Sequence, residues 1–207
     1  MDFYCERTNL QFFDEPINIL SNIFFFIAAY YVFKEFKKNK SAKTFLVFPT
    51  LIMFIGLGSA SFHSLPNKIT LLMDVLPIFL FSLLFVILFN FKILNLKKEL
   101  NFFFIIFFLL SYFILPEKFN YKFLNGSEFY LANDLILLIY VFLIRKKKEL
   151  FKNLFSIFLI FNLSIFFRTI DNHICENIAI GSHFAWHFLN SIVLFKLSII
   201  FKNLKYI

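Results

Sequence analysis

Seven apolar runs, roughly at residues 17–33, 45–62, 69–91, 102–115, 129–144, 154–167 and 184–201, divide the 207-residue chain between them. They do not alternate apolar with polar residues, and stretches such as 102–110 are solid, so they do not read as the strands of a transmembrane barrel. A membrane-crossing helix needs about 20 apolar residues. The shorter runs reach that length with flanking aromatic and snorkelling lysine side chains. Only 16% of residues are charged, against roughly a quarter in a soluble domain, so the chain could not cover itself with polar surface in water. The 37 phenylalanines accompany abundant Ile, Lys and Asn and carry no functional meaning of their own. The expected fold is all-α: a polytopic membrane protein, a seven-transmembrane-helix bundle forming one domain over residues 1–207. The connections are short and leave no room for a separate soluble domain.

A net charge of +8 might suggest a nucleic-acid partner, but the cations fall in short clusters between apolar runs. The clusters at 34–43, 92–98, 145–152 and 202–205 lie on one side of a seven-span topology. Arg7, Lys68, Lys118, Lys122 and Arg168, on the other side, are far outnumbered. The positive-inside rule then puts the N-terminus outside and the C-terminus inside. The first run follows Asp14 and Glu15, has no basic flank, and reads as a retained span, not a signal peptide. No internal repeat, phosphate-binding loop, dinucleotide fingerprint or nucleic-acid motif is present. Chemistry is therefore sought among polar residues in or beside the spans, where an ionisable group is expensive.

His183 and His187 stand four residues apart at the outer start of the last run, on one helical face. Such a pair can bind one metal, or be two interfacial histidines bonded to backbone or water. His63 ends the second run at the same predicted depth. Three histidines from two helices make the protein half of a catalytic zinc site with an open fourth position. Asp74 lies just beyond, near the outer start of the third run, either as a helix-start carboxylate or as a general base toward a water. Ser59, one turn before His63, can donate to a developing oxyanion or serve as a small packing residue in the Gly56-x-Gly58-Ser59 stretch. His173 reads as a loop histidine.

Asp2, Glu6 and Glu15 gather carboxylates outside the first run, where calcium or no ion at all would suit them. Cys5 and Cys175, the two cysteines, both fall on the outer side. In a bacterial-type inner membrane that side is oxidising, which favours a bridge over two free thiols. Asn18, Asn22, Asn133, Asp134, Asn162 and Asn190 are expected as interhelical hydrogen-bond partners. Arg168 is expected to pair with Asp134 or Glu15.

Ser59-x-x-x-His63, Asp74 eleven residues later, and His183-x-x-x-His187 in the last run together resemble the alkaline ceramidases, seven-span intramembrane hydrolases. Cys5-Glu6 and Glu15-Pro16-x-Asn18-x-x-Ser21-Asn22 resemble that family's approach to its first helix. The histidine, serine and aspartate set is shared with a wider superfamily that includes progestin and adiponectin receptor-type proteins, and the N-terminal stretch favours the ceramidase branch. The resemblance implies zinc on His63, His183 and His187, with Asp74 handling the proton of the attacking water and Ser59 assisting at the carbonyl. It also implies a Cys5–Cys175 bridge and a calcium site at Glu6 and Glu15, although Thr8 or Asn9 stands where an asparagine ligand is expected.

The function that follows is zinc-dependent cleavage of ceramide or a related lipid amide to a fatty acid and a sphingoid-type amine. The partners are that lipid and the surrounding membrane, with no nucleic acid and no obligatory protein, and the site faces the periplasm. A non-hydrolytic receptor or sensor with a structural metal is the main alternative. A transporter using Asp74 and the histidines as a relay is less suited to seven spans without inverted repeats. Two facing histidines could also hold haem.

Overall fold

The computed structural model describes residues 4–9, 11–38, 45–119 and 122–202, which contain helices and turns and no β-strand. Helix α1 (Pro16–Ser21) and α2 (Ile23–Lys38) meet at Asn22, whose backbone is itself helical, and form one rod. Pro16 occupies the first helical turn, where its missing N–H costs nothing. Then follow α3 (Val47–Ser64), α4 (Lys68–Lys92), α5 (Lys98–Lys118), α6 (Leu131–Leu143), α7 (Lys148–Ile170) and α8 (His183–Ile199). Asn67 starts α4 with a reciprocal cap: its side chain accepts from the Ile69 and Thr70 amides at 2.9 and 3.0 Å, and its own amide donates to Thr70 Oγ1 at 3.0 Å.

Short connections make successive helices antiparallel neighbours. The lysine-rich connections gather at the end remote from the histidines. There Lys147 donates to the Ile93 carbonyl at 3.1 Å, and Lys202 approaches Glu35 at 3.8 Å. Near that end Tyr140 of α6 donates to Asn90 of α4 at 2.8 Å, and Asn90 donates to Asn101 of α5 at 2.9 Å. Phe48 and Phe201 stack face to face with ring centroids 5.4 Å apart, locking α3 to the chain just after α8.

Among the described residues, five helical segments are long and apolar enough to cross a membrane: Pro16–Lys38, Val47–Ser64, Lys68–Lys92, Lys98–Lys118 and Lys148–His173. The sequence led us to expect seven. Helix α6 has 13 residues and α8 has 17, so at about 1.5 Å per residue they rise roughly 20 and 26 Å, short of an apolar layer about 30 Å thick. Helix α6 starts two residues into its expected run, whereas α8 starts at His183, one residue before its own. A 3-10 turn at Ser127–Tyr130 precedes α6. A left-handed Gly181 and a buried capping carboxylate, Asp171, fix the start of α8. The polarity of the bundle suits lipid: Ile69 (73%) and Phe103 (67%) point outward, while Asn18, Ser21, Asn22, Ser59 and the three histidines are buried.

Helices α3 and α4 pack closely at the level of the histidines. A Cβ on Gly58 would lie 1.9 Å from the Met73 carbonyl oxygen. Pro77, inside α4, has no N–H to give to the carbonyl four residues back, which is Met73. The freed oxygen faces the bare backbone of Gly58, and this contact sets the depth at which the next residue, Asp74, meets α3.

Candidate metal centre

His63 ends α3, while His183 and His187 occupy the first two turns of α8. Their ring centroids are 5.1 Å apart for His63 and His183, 5.0 Å for His63 and His187, and 4.6 Å for the α8 pair. One nitrogen from each ring lies within 4.8 Å of the others, and all three residues are buried. The spacing of the α8 pair was legible in the sequence. The meeting with His63 was inferred from topology, and the structure brings the three together.

Neighbouring groups fix which nitrogen each ring presents. His63 Nδ1 donates to Glu15 Oε2, which leaves Nε2 facing the cluster. The Ser21 hydroxyl donates to the Asn18 carbonyl at 2.9 Å, so its oxygen accepts from His187 Nδ1 at 2.6 Å and leaves the His187 Nε2 lone pair turned to the Ser59 hydroxyl and the other two rings. A carboxylate or hydroxyl behind a histidine is the usual support of a metal ligand. His183 is stacked against Tyr4, with centroids 3.8 Å apart, and against Trp186 at 5.2 Å. Burial pushes the Tyr4 phenol up to about 12, although the Arg168 charge pulls the other way, so the ring is neutral at ordinary pH.

Asp171 holds the start of α8 in place. Its Oδ1 accepts from the Ser182 and His183 amides at 2.6 and 2.9 Å, and its Oδ2 from the Cys5 amide at 2.9 Å. Gly181 is required here: its φ is +62°, and a Cβ would lie 2.1 Å from Asp171 Oδ1. The Cys5–Cys175 disulfide closes the same corner, with Cα atoms 5.3 Å apart.

Ser59 Oγ lies 3.2 Å from His187 Nε2. Asp74 interacts with the Ser59 hydroxyl and, through space, with His63 and Arg168. Its Oδ1 is buried with no hydrogen-bond partner. Asp74, Tyr4, Tyr112, Tyr130 and Arg168 line a cavity of about 390 Å³. A second, narrower cavity of about 50 Å³, lined by Phe25, Ile55 and Trp186, shares Ile78 and Tyr130 with the first and continues into the apolar interior.

At this end of the bundle the Glu6 and Glu15 carboxylates are engaged by donors within the fold. Glu6 accepts from the Ile17 and Asn18 amides at 2.6 and 2.8 Å, capping α1. Glu15 accepts at Oε1 from Arg7 Nε at 2.5 Å, and at Oε2 from His63 and from Asn18 Nδ2 at 3.0 Å. Burial pushes the Glu15 carboxyl up, but hydrogen bonds from His63 and Asn18 and the Arg7 charge outweigh it and hold it below the ordinary carboxylate range. Arg7 also donates to the His63 carbonyl at 2.7 Å. A fixed guanidinium thus stands where a bound cation was expected. Asp2, the third carboxylate of that expectation, lies outside the described residues.

Arg168 pairs with neither Asp134 nor Glu15. Asp134 accepts from Asn162 at 2.7 Å, and Arg168 Nη1 donates to the Tyr4 hydroxyl at 2.8 Å. The amide expectation holds for Asn162 and for Asn190, which donates to Ser164 at 3.1 Å. Asn18 and Asn22 bond within the first rod and to Glu15. Sequence reading missed Tyr4, Arg7, Ser21 and Asp171 as supports of the site. Ser21 stood in the motif already singled out before α1. The other three depend on contacts across the fold.

The donor set fits a metal that accepts imidazole nitrogen. His183 Nδ1 is buried without a hydrogen-bond partner, and His63 and His187 have their second nitrogens supported from behind. A bundle of helices able to cross a membrane, with a buried histidine triad able to hold a metal and a buried carboxylate, Asp74, close by, defines a class of proteins with a candidate metal site built within apolar helices. The ceramidase family model matches residues 3–206, and the chain belongs to the ceramidase family, whose members are ceramide-type amide hydrolases. No curated protein matches it significantly.

Proposed function

We propose that the protein is a membrane-embedded, zinc-dependent amidohydrolase that cleaves the N-acyl bond of ceramide or a related lipid amide to a fatty acid and a sphingoid-type amine. The observation that carries this reading is the convergence of three imidazole nitrogens within 4.8 Å, with Asp74 close by on the wall of a cavity that adjoins the apolar interior. His63, His183 and His187 would hold zinc, which in a three-histidine site polarises a carbonyl and makes a water more acidic. Asp74 accepts the proton of the attacking water and returns it to the leaving nitrogen. Ser59 donates a hydrogen bond to the amide oxygen as charge develops there. Glu15 and Ser21 hold their histidines in one tautomer. The acyl chain runs past Ile78 and Tyr130 into the narrower cavity.

In this reading the whole chain, 1–207, is one domain whose seven helical rods all cross the membrane, α6 and α8 with help from flanking side chains. The amino-terminal segment and the site face the outer, periplasmic side of a bacterial-type inner membrane. The lysine clusters at the opposite end and the disulfide at this one support that orientation.

The test compares wild type, Asp74→Asn and His187→Ala for zinc content and lipid-amide turnover. Asp74→Asn keeps shape and ligands, so zinc stays near one per chain while activity falls about 10²–10⁴-fold. His187→Ala loses both. An Asp74→Asn protein that turns over lipid amide at the wild-type rate overturns the assignment.

A further inference from the structure

The cavity beside the histidines contains a cation that cleavage of a neutral amide does not need. Arg168, in the last turn of α7, extends its guanidinium among three aromatic rings, with its central carbon 5.3 Å from the Tyr4 centroid and 5.4 Å from those of Tyr130 and Trp186. Tyr4 and Trp186 are the rings stacked on His183, so the guanidinium is one ring removed from a metal ligand. Gly126, with φ +76°, lets the chain pass close by: a Cβ there would lie 3.1 Å from an Arg168 Nη2 atom.

Among the described residues no carboxylate forms an ion pair with Arg168. Of the nearby acids, Glu15 is engaged by Arg7, Asp134 by Asn162 and Asp171 by backbone amides, while Asp74 acts on Arg168 only through space. The Arg168 side chain donates to the Tyr4 hydroxyl, and its Nε is buried with no partner. Aromatic faces hold a guanidinium plane in position and leave its edge available. That edge suits carboxylate or phosphate oxygens, often in a forked pair of hydrogen bonds.

The charge balance points the same way. Arg7 and Glu15 neutralise one another, and three metal-binding histidines are neutral. Asp74 offers one negative charge against Arg168 and a divalent metal. The cavity is left with excess positive charge in a setting where unpaired charge is costly. The narrower cavity, lined by Phe25, Ile55 and Leu194, is apolar and takes the acyl chain. A compensating anion therefore belongs on the other side of the scissile bond.

We propose that the lipid amide cleaved here carries an anionic group, a carboxylate or a phosphate, on its amine side, and that Arg168 binds it. This rests on the hydrolase reading above and narrows its substrate class. The purified full-length protein is assayed with three lipids of the same acyl chain: N-acylglycine, N-acylphosphoethanolamine and neutral N-acylethanolamine. The wild type should favour at least one anionic lipid over the neutral one in kcat/KM by about 10–100-fold, the worth of a hydrogen bond to a charged group. Which of the two it favours identifies carboxylate or phosphate. In Arg168→Gln that ratio should collapse toward one, mainly through KM, while zinc content stays at the wild-type value. Arg168→Lys should restore part of it. A wild-type ratio near or below one, or a ratio unchanged in Arg168→Gln, overturns the proposal while leaving amide hydrolysis standing.

Should none of the three be cleaved, binding decides the Arg168 proposal separately. Trp186 is the one tryptophan in the chain, and its fluorescence reports occupancy of uncleavable ketone analogues with CH₂ in place of the amide NH. Tighter binding of an anionic analogue in wild type but not in Arg168→Gln supports the proposal. Equal binding of charged and neutral analogues overturns it.

Discussion

Replacing Glu15 with Gln separates two jobs that this carboxylate performs at once. One oxygen receives Arg7, and the other receives His63 and Asn18. The side chains of Arg7 and Glu15 are 1% and 2% exposed. Gln keeps the shape but has one acceptor oxygen for these three donors and no charge. Arg7 is then left buried without its counter-charge, a loss of about 3–5 kcal/mol. His63 loses the charged acceptor behind its Nδ1, which should weaken zinc binding about 10–100-fold. The double variant Arg7→Met/Glu15→Gln removes the orphaned cation. Stability should largely return, less about 1–3 kcal/mol because the His63 carbonyl has lost its donor. Zinc affinity should not return, because the support of His63 is still gone. Reversible unfolding in mixed micelles reads the first quantity, and competition with a chromogenic chelator reads the second. A double variant that recovers zinc affinity together with stability would refute the reasoning, since Glu15 would then serve only to neutralise Arg7.

Gly58→Ala should cost about 1–3 kcal/mol and lower turnover more than zinc content. The new methyl meets the backbone oxygen of Met73 and displaces Asp74; unchanged turnover in micelle assays would count against that role for the close contact. Calcium addition, or chelation selective for calcium, should leave zinc content and activity unchanged, because Arg7 already engages Glu15 and the Ile17 and Asn18 amides engage Glu6, whereas a zinc chelator should abolish activity; a calcium requirement would show the carboxylates to be rearranged in the working enzyme. Asp14 is held below the ordinary carboxylate range, chiefly by the Asn9 amide. Its contribution to ordering the amino-terminal turn is present above the unfolded pKa near 3.9 and is lost as pH falls through the lowered folded value. Hydrogen exchange at the Thr8 and Asn9 amides should show that loss, and Asp14→Asn should remove the pH step.

The parts of the site that could be read in the sequence are those whose geometry is local. His183 and His187 share a face because a helix repeats every 3.6 residues. His63 and Asp74 fall at the same level because one short turn joins α3 to α4. The supports behind them were hidden, since nothing local distinguishes a buried arginine from a loop arginine. Arg7 read as an outer-side cation, and its pairing with Glu15 shows only in the fold. Asp171 looked like a loop residue, yet it caps α8 from eleven residues upstream. Apolar runs revealed where helices are, but not how the starts of α6 and α8 are set. That depends on a 3-10 turn and on a glycine whose need for a left-handed backbone shows only once Asp171 is in place.

The amino-terminal strap has a consequence for how the protein is made. Ser59 and His187, which meet at the metal centre, are 128 residues apart, and Ser21 and His187 are 166 apart. A chain emerging from the ribosome can insert and pack α1 to α7 while holding a single histidine of the three. No high-affinity metal site exists until α8 arrives, Asp171 caps it, and Cys5 finds Cys175 across 170 residues. On the proposed hydrolase reading, loading with metal is the last event in biogenesis, and partly inserted chains are inert toward the lipids around them.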